Sequence, residues 1–197
     1  MLRDEHIASL ADQGFLVLKH VLPSDLTDGL RLHARTLFEG GAFEPAGVGA
    51  GRDHRLVTVV RSDQVYWWRN APTDPIQARF LAETEHMRRL FNEAFYLGIQ
   101  DVELHYAAYP EGSYYAKHLD RFRTNGRRKI SMVLYLNDGW TAEDGGALRL
   151  YDPHGDGSWD ILPEGGVLVL FRSDLVYHEV LPTRRTRLTL TGWFRSA

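Results

Sequence analysis

The stretch "YYAKHLDRFRTNGRR", residues 114–128, sets His118 and Asp120 two positions apart. On an extended strand residues i and i+2 point to the same face, so the two side chains converge while Leu119 turns away. One metal ion could accept both. A third ligand would come from another strand, and His178 in "SDLVYHEVLP" is the best placed, because it follows the apolar run "GVLVLF" of a buried strand. Two histidines and one carboxylate on a common face leave coordination positions open, which suits non-haem Fe(II) and O2 chemistry. An isolated His-x-Asp is also met as an ordinary hydrogen-bonded pair, so the spacing alone leaves both readings open.

Arg187, in "TRRTRLTLTGWF", adds weight to the first reading. Counting by twos along that strand puts Arg187, Thr189, Thr191 and Trp193 on one face and Leu188 and Leu190 on the other. An arginine in the same row as a tryptophan points inward, and a buried guanidinium needs an anion. No acidic residue of the strand supplies one, so the anion is a bound dicarboxylate or an Asp or Glu elsewhere in the fold, unless the arginine faces solvent as Arg184 and Arg185 are expected to.

The elements that would position these residues change character midway. In the first half, "DEHIASLADQ" has helical spacing and "FLVLKHVL" reads as a strand. Ser24 can cap a helix through "DLTDGLRLHARTLFEGG". After the glycine-rich "PAGVGAGRDH", the segment "RLVTVVRSDQVYWW" reads as extended, with Trp67 and Trp68 in a strand core. Asp74 and Pro75 then open a long amphipathic helix with Gly98 as its C-cap. From residue 101 onward come short strands separated by turn signals such as Asn125–Gly126 and Gly165–Gly166. Seven or eight such strands imply an antiparallel sandwich or barrel.

Composition sets outer bounds. The 197 residues suffice for one domain with a sizeable core, and a net charge of −3 exerts no global attraction on nucleic acid or anionic membrane. No apolar run approaches the ~20 residues of a membrane helix, and acidic residues occupy the place of a signal peptide's apolar stretch, so a cytoplasmic protein is expected. With no cysteine, metal ligands must come from His, Asp and Glu. Among nine histidines, His105 is read as a satisfied interior or rim residue of its strand.

Five segments in order, "YPEGSYYAKHLD", "VLYLNDGW", "GGALRLY", "FRSDLVYHEVLP" and "RLTLTGWF", resemble the Fe(II)/2-oxoglutarate-dependent dioxygenases. The likeness is to their prolyl 4-hydroxylase-like branch, which includes the hypoxia-inducible-factor prolyl hydroxylases and bacterial relatives. It covers about residues 100–195, with "VRSDQVYWW" a weaker match ahead of them. It implies an α+β fold: a double-stranded β-helix, or cupin-like jelly roll, with supporting N-terminal helices. Residues 1–197 would be one domain, with helical support and a substrate loop in 1–100 and the β-helix in 101–197.

The resemblance further implies that His118, Asp120 and His178 hold Fe(II) and that Arg187 binds the distal carboxylate of 2-oxoglutarate. Tyr135 would reach the same cosubstrate, Tyr109 and Tyr115 would line the site, and Trp193 would pack against the distal-histidine region. O2 would be the oxidant and ascorbate a supporting reductant, with succinate and CO2 released as a C–H bond is hydroxylated. The implied substrate is a prolyl residue of a protein or peptide, with a free amino acid or other small molecule as the alternative. The glycine-rich stretch would form a loop over the substrate, and the arginine run 121–128 could attract an anionic one. A non-catalytic binding module would usually lack one of the four residues, and a nucleic-acid dealkylase would want a broader basic surface with stacking aromatics.

Overall fold

The structure, a computed structural model, describes residues 2–47, 60–68, 74–121 and 126–197. The expected substrate loop falls largely outside these residues, as do Arg123 and Asn125 of the arginine-rich stretch.

Three helices, α1 (Asp4–Gln13), α2 (Ser24–Glu39) and α3 (Pro75–Phe95), flank eleven strands. The strands are β1 (Phe15–Lys19), β2 (Glu44–Pro45), β3 (Gln64–Trp67), β4 (Ile99–Tyr109), β5 (Tyr115–His118) and β6 (Arg128–Tyr135), followed by β7 (Leu148–Tyr151), β8 (Ser158–Ile161), β9 (Val167–Arg172), β10 (His178–Val180) and β11 (Arg187–Ser196). They form a seven-stranded sheet ordered β1-β9-β6-β11-β4-β3-β2 and a four-stranded sheet ordered β5-β10-β7-β8, all pairs antiparallel. This is the mixed α/β jelly roll of the expected double-stranded β-helix.

Strand alternation divides the buried residues into two layers. On β6, Ile130, Met132 and Leu134 join the core beneath the helices, with Phe80 and Phe91 of α3 and Leu26 and Leu30 of α2. Val133 and Tyr135, of opposite parity, face Leu148, Leu150 and Val180 of the smaller sheet. The large sheet is therefore covered on both faces, and functional side chains stand only on the face toward the small sheet.

Helix ends depart from the expected capping in two places. Asp74 behaves as expected: its carboxylate accepts the Ile76 N–H at 2.8 Å, with Pro75 at the first helical position. Ser24 instead lies inside α2, which follows Pro23 and has no side-chain cap bond. At the far end of α3 the left-handed cap residue is Tyr96 (φ 53°), although Gly98 also has positive φ. The cause lies beyond the helix. Asn92 accepts the Ile99 N–H at 2.7 Å and donates to the Ile99 carbonyl at 2.8 Å, so the chain must reverse within the few residues between. Similarly, the first strand stops at Lys19 because His20 takes φ 53°.

β11 is the long central strand, paired with β4 on one side and β6 on the other. Asn137 fixes its start by accepting the Leu188 N–H at 2.7 Å while donating to the Pro163 carbonyl at 2.8 Å. Register here determines what faces what across the cleft floor. Arg187 stands opposite Tyr109, Thr189 opposite Ala107 and Tyr135, and Thr191 opposite His105 and Val133.

Candidate active site

His118 and His178 come together because β5 and β10 pair with those two residues in register. His178 is buried, and Asp120, just past the end of β5, faces the Nε2 edge of both rings. His118 Nε2 is 3.5 Å from Asp120 Oδ1, and His178 Nε2 is 3.6 Å from Asp120 Oδ2. One ligand atom from each residue fits within 4.8 Å of the others, the sole such group of three or more His, Cys, Asp or Glu among the described residues.

Backbone carbonyls orient both imidazoles. His118 Nδ1 lies 2.7 Å from the Ala116 carbonyl and His178 Nδ1 lies 3.1 Å from that of Val176. Because a carbonyl only accepts, each Nδ1 carries the proton and each Nε2 presents a lone pair toward Asp120. Tyr115 stacks on the His118 ring at 3.6 Å between centroids, and Phe171 packs on His178 at 4.5 Å. Ser131 of β6 donates its hydroxyl to Asp120 Oδ2 at 2.6 Å and lies 2.8 Å from the Ser173 hydroxyl.

Protonation matches what a cation requires. Burial opposes ionisation of Asp120, yet His178, then His118 and Arg128, hold its carboxyl well below the ordinary range. Burial, with the like charge of His118, lowers His178 to about 4. At neutral pH the cluster thus offers an ionised carboxylate and neutral distal imidazole, the states that bind metal.

The three groups open on a cleft of about 470 Å³ between the sheets. Arg187 closes its inner end and is 1% exposed, a burial that excludes the solvent-facing reading. Its guanidinium lies 4.9 Å from the Tyr109 ring centroid and 5.1 Å from that of Tyr135, and no ion pair to it occurs among the described residues. Arg187 Nε and the Tyr135 hydroxyl are both buried without a hydrogen-bond partner among the described residues. Burial pushes the Tyr135 phenol up to about 12 despite the arginine nearby, and it raises Tyr109 further. Gly146, with φ 65°, makes room for the arginine: a Cβ there would lie 3.1 Å from Arg187 Cδ. Tyr115 lines the cleft as expected, beneath the guanidinium of Arg61 at 4.3 Å.

At the outer end several expectations change. Trp193 contacts His105, Trp67 and the guanidinium of Arg128 rather than the distal histidine, because its register partners are Glu103 and Ser131. Trp68 enters the helix-side core, but Trp67 is half exposed and lines the cleft. His105 is interior, yet its Nδ1, expected to be satisfied, has no hydrogen-bond partner among the described residues. Of the arginine run, Arg121 pairs with Asp174 and Arg127 donates to the Ser196 carbonyl. Among the described residues of the run only Arg128 lines the cleft, where it also pairs with Glu103.

Ser131, Arg128 and Trp67 were not singled out as site residues by their sequence pattern. Ser131 did leave a trace, as a polar residue at an inward position of the otherwise apolar "ISMVLY". Arg128 and Trp67 depend on long-range pairing that the local pattern does not carry.

A jelly roll with two histidines and a carboxylate at the cleft, and a lone buried arginine at its inner end, defines a class of oxygenases. The chain belongs to the 2OG-Fe(II) oxygenase superfamily, which residues 104–195 match. Its relatives include prolyl hydroxylases. The crystal structure of a Pseudomonas putida prolyl-4-hydroxylase superposes with a TM-score of 0.89 at 38% identity, covering 98% of each chain. A Trichoplax adhaerens prolyl hydroxylase, solved in complex with a hypoxia-inducible-factor peptide fragment, gives a TM-score of 0.84 at 25% identity over 98% of this chain and 88% of that one. The hypoxia-inducible factor prolyl hydroxylase of Caenorhabditis elegans is 31% identical over 96% of this chain, which spans 28% of that protein's length.

The donors fit the groups this family implies. Two imidazoles and a carboxylate with open positions suit Fe(II). The unpartnered Arg187 Nε and Tyr135 hydroxyl suit a carboxylate such as the distal one of 2-oxoglutarate. Among the described residues no helix is long and apolar enough to cross a membrane.

Proposed function

We propose that the protein is an Fe(II)- and 2-oxoglutarate-dependent dioxygenase that hydroxylates a prolyl residue of a protein or peptide. 2-Oxoglutarate and O2 are consumed, one oxygen enters the substrate C–H bond, and succinate carrying the other is released with CO2. Ascorbate serves as a supporting reductant. The observation that carries the reading is the common cleft: three ligand atoms within 4.8 Å of one another, facing a space whose inner end holds a buried arginine without an acidic partner among the described residues.

In this reading His118 Nε2, His178 Nε2 and Asp120 hold the iron, whose bound form supplies O2 activation. Ala116 and Val176 keep each imidazole in the ligating tautomer, and Ser131 holds the carboxylate. Arg187 and Tyr135 grip the distal carboxylate of 2-oxoglutarate, fixing which end faces the metal. Tyr109, Val133 and Leu148 exclude water around it. Tyr115 packs on His118 and limits movement of that ligand. A protein or peptide substrate is supported by the prolyl hydroxylase relatives, one of which was solved with a peptide fragment.

The test is Fe(II)-dependent succinate release run with a set of prolyl peptides, free proline and an alkylated oligonucleotide, with mass spectrometry of each. Gain of one oxygen on a peptidyl proline is the expected result. Oxygen on free proline alone would reassign the substrate, and iron binding without any turnover would support a binding module.

A further inference from the structure

The inward rows of β4 and β11 form a ladder along the cleft floor. Its innermost rung is Tyr109 and Arg187, and two rungs further out His105 stands beside Thr191. At about 3.3 Å per residue, His105 is about 13 Å along the strand from the arginine level. Asp120 is held over β6 by Ser131, on the other side of β11. Two strand spacings, about 10 Å, separate β4 from β6. Ser131 is level with Trp193, so His105 and the metal-ligating face stand on opposite sides of β11, one rung apart, with Thr191 and Trp193 of the floor between them.

His105 is 3% exposed and its Nδ1 makes no hydrogen bond among the described residues. The Trp193 indole N–H, on a ring 5.1 Å from the imidazole between centroids, is likewise buried without a partner. An indole N–H only donates, whereas a neutral imidazole can donate or accept according to its tautomer. Leaving such groups dry and unpaired is unfavourable, and both residues border the cleft, where Trp67 stacks on His105 at 4.5 Å and Arg128 covers Trp193 at 3.4 Å, so a guest reaches these atoms as those two side chains move aside. At this end Arg128 pairs with Glu103 at 3.3 Å, and Arg61 pairs with Asp63 at 2.6 Å. A backbone amide, which carries both a donor and an acceptor, answers an indole N–H and a neutral imidazole together.

We propose that His105 sets specificity by direct substrate contact, its Nδ1 and the Trp193 N–H hydrogen-bonding a backbone amide of a peptide substrate near the residue that is oxidised. This rests on the dioxygenase reading above and sharpens it toward peptidyl over free amino-acid substrates. His105→Leu removes the polar atom at similar volume, and His105→Asn returns an amide near the position of Nδ1. The capped prolyl peptide of highest turnover is titrated without O2 into wild type and both variants loaded with Fe(II) and 2-oxoglutarate. KM for peptide and for 2-oxoglutarate, and succinate released per hydroxylated peptide, are then measured in air.

His105→Leu should raise the peptide Kd and KM about tenfold, the size of one lost hydrogen bond. It should leave KM for 2-oxoglutarate unchanged and increase succinate per product, while His105→Asn recovers most of the affinity. Unchanged peptide affinity in His105→Leu overturns the proposal, as does failure of a wild-type-stable His105→Asn to recover it. A wild type that turns over 2-oxoglutarate but neither binds nor hydroxylates any prolyl peptide overturns the substrate reading as well. Hydroxylation that proceeds while the variants bind equally overturns the His105 contact alone.

Discussion

Asp120 shows how much of a metal ligand's behaviour is set by atoms that never touch the metal. Its Oδ2 accepts the Ser131 hydroxyl, and Ser131 lies in turn beside Ser173, so the carboxylate is held from the β6 and β9 side of the fold. Removing that support leaves three ligands of unchanged type but lets one of them rotate. Ser131→Ala should therefore weaken Fe(II) binding about 10- to 100-fold without unfolding the protein, read by anaerobic metal titration. Equal affinity would show that burial alone orients Asp120. At the inner end of the cleft, Arg187→Ala should raise KM for 2-oxoglutarate at least about tenfold, since a charge-assisted bond to a buried carboxylate is lost. Tyr135→Phe should raise it less, about fivefold, for a single neutral donor. If the two residues grip one carboxylate, the double variant will be less impaired than the product of the single effects. Independent effects would separate Tyr135 from the cosubstrate.

Elements deliver these residues through strand parity and helix capping, and the two differ in how well they can be read. Parity was readable: alternation along "RLTLTGWF" places Arg187, Thr189, Thr191 and Trp193 on the cleft face, and all four line it. Likewise His118 and Asp120 converge as their spacing implies. Long-range pairing was not readable. That His178 faces His118 depends on β10 meeting β5 in one register, and that Trp193 meets His105 depends on β11 meeting β4. Neither register is written in a local pattern, which is why Trp193 was expected beside the wrong histidine. Capping shows the same division between type and geometry. Asp74 and Ser24 are both cap-forming residue types, but only Asp74 makes the bond. Asp74→Ala should cost about 1 kcal/mol and Ser24→Ala close to nothing, in urea denaturation at pH 7. A larger loss at Ser24 would mean that α2 is capped by its side chain after all.

Over the whole molecule, the large sheet has apolar layers on both faces, yet polar and ionisable groups are buried between the sheets where a guest must be received. His105 is the clearest case, because an alternating strand pattern predicts an inward side chain but cannot say whether a partner awaits it. Burial without a partner among the described residues has a consequence for stability. Burial, reinforced by the charges of Arg61 and Arg128, lowers the His105 pKa to about 3, against about 6.5 for an unfolded chain. Between those values the unfolded state binds a proton that the folded state refuses, so stability rises with pH and is withdrawn on acidification. From well above pH 6.5 down to pH 5 the loss from this one group is about 2 kcal/mol. Buried His178, lowered to about 4, loses stability in the same direction. The metal-free protein isolates the effect, since bound metal would add its own competition with protons at His178. Urea denaturation of the metal-free wild type and His105→Leu at pH 7.5 and pH 5 should show wild type losing about 2 kcal/mol more than the variant across that interval. Parallel losses in the two proteins would mean that His105 takes up its proton without cost in the folded state, and hence that water or a neighbouring group already satisfies it.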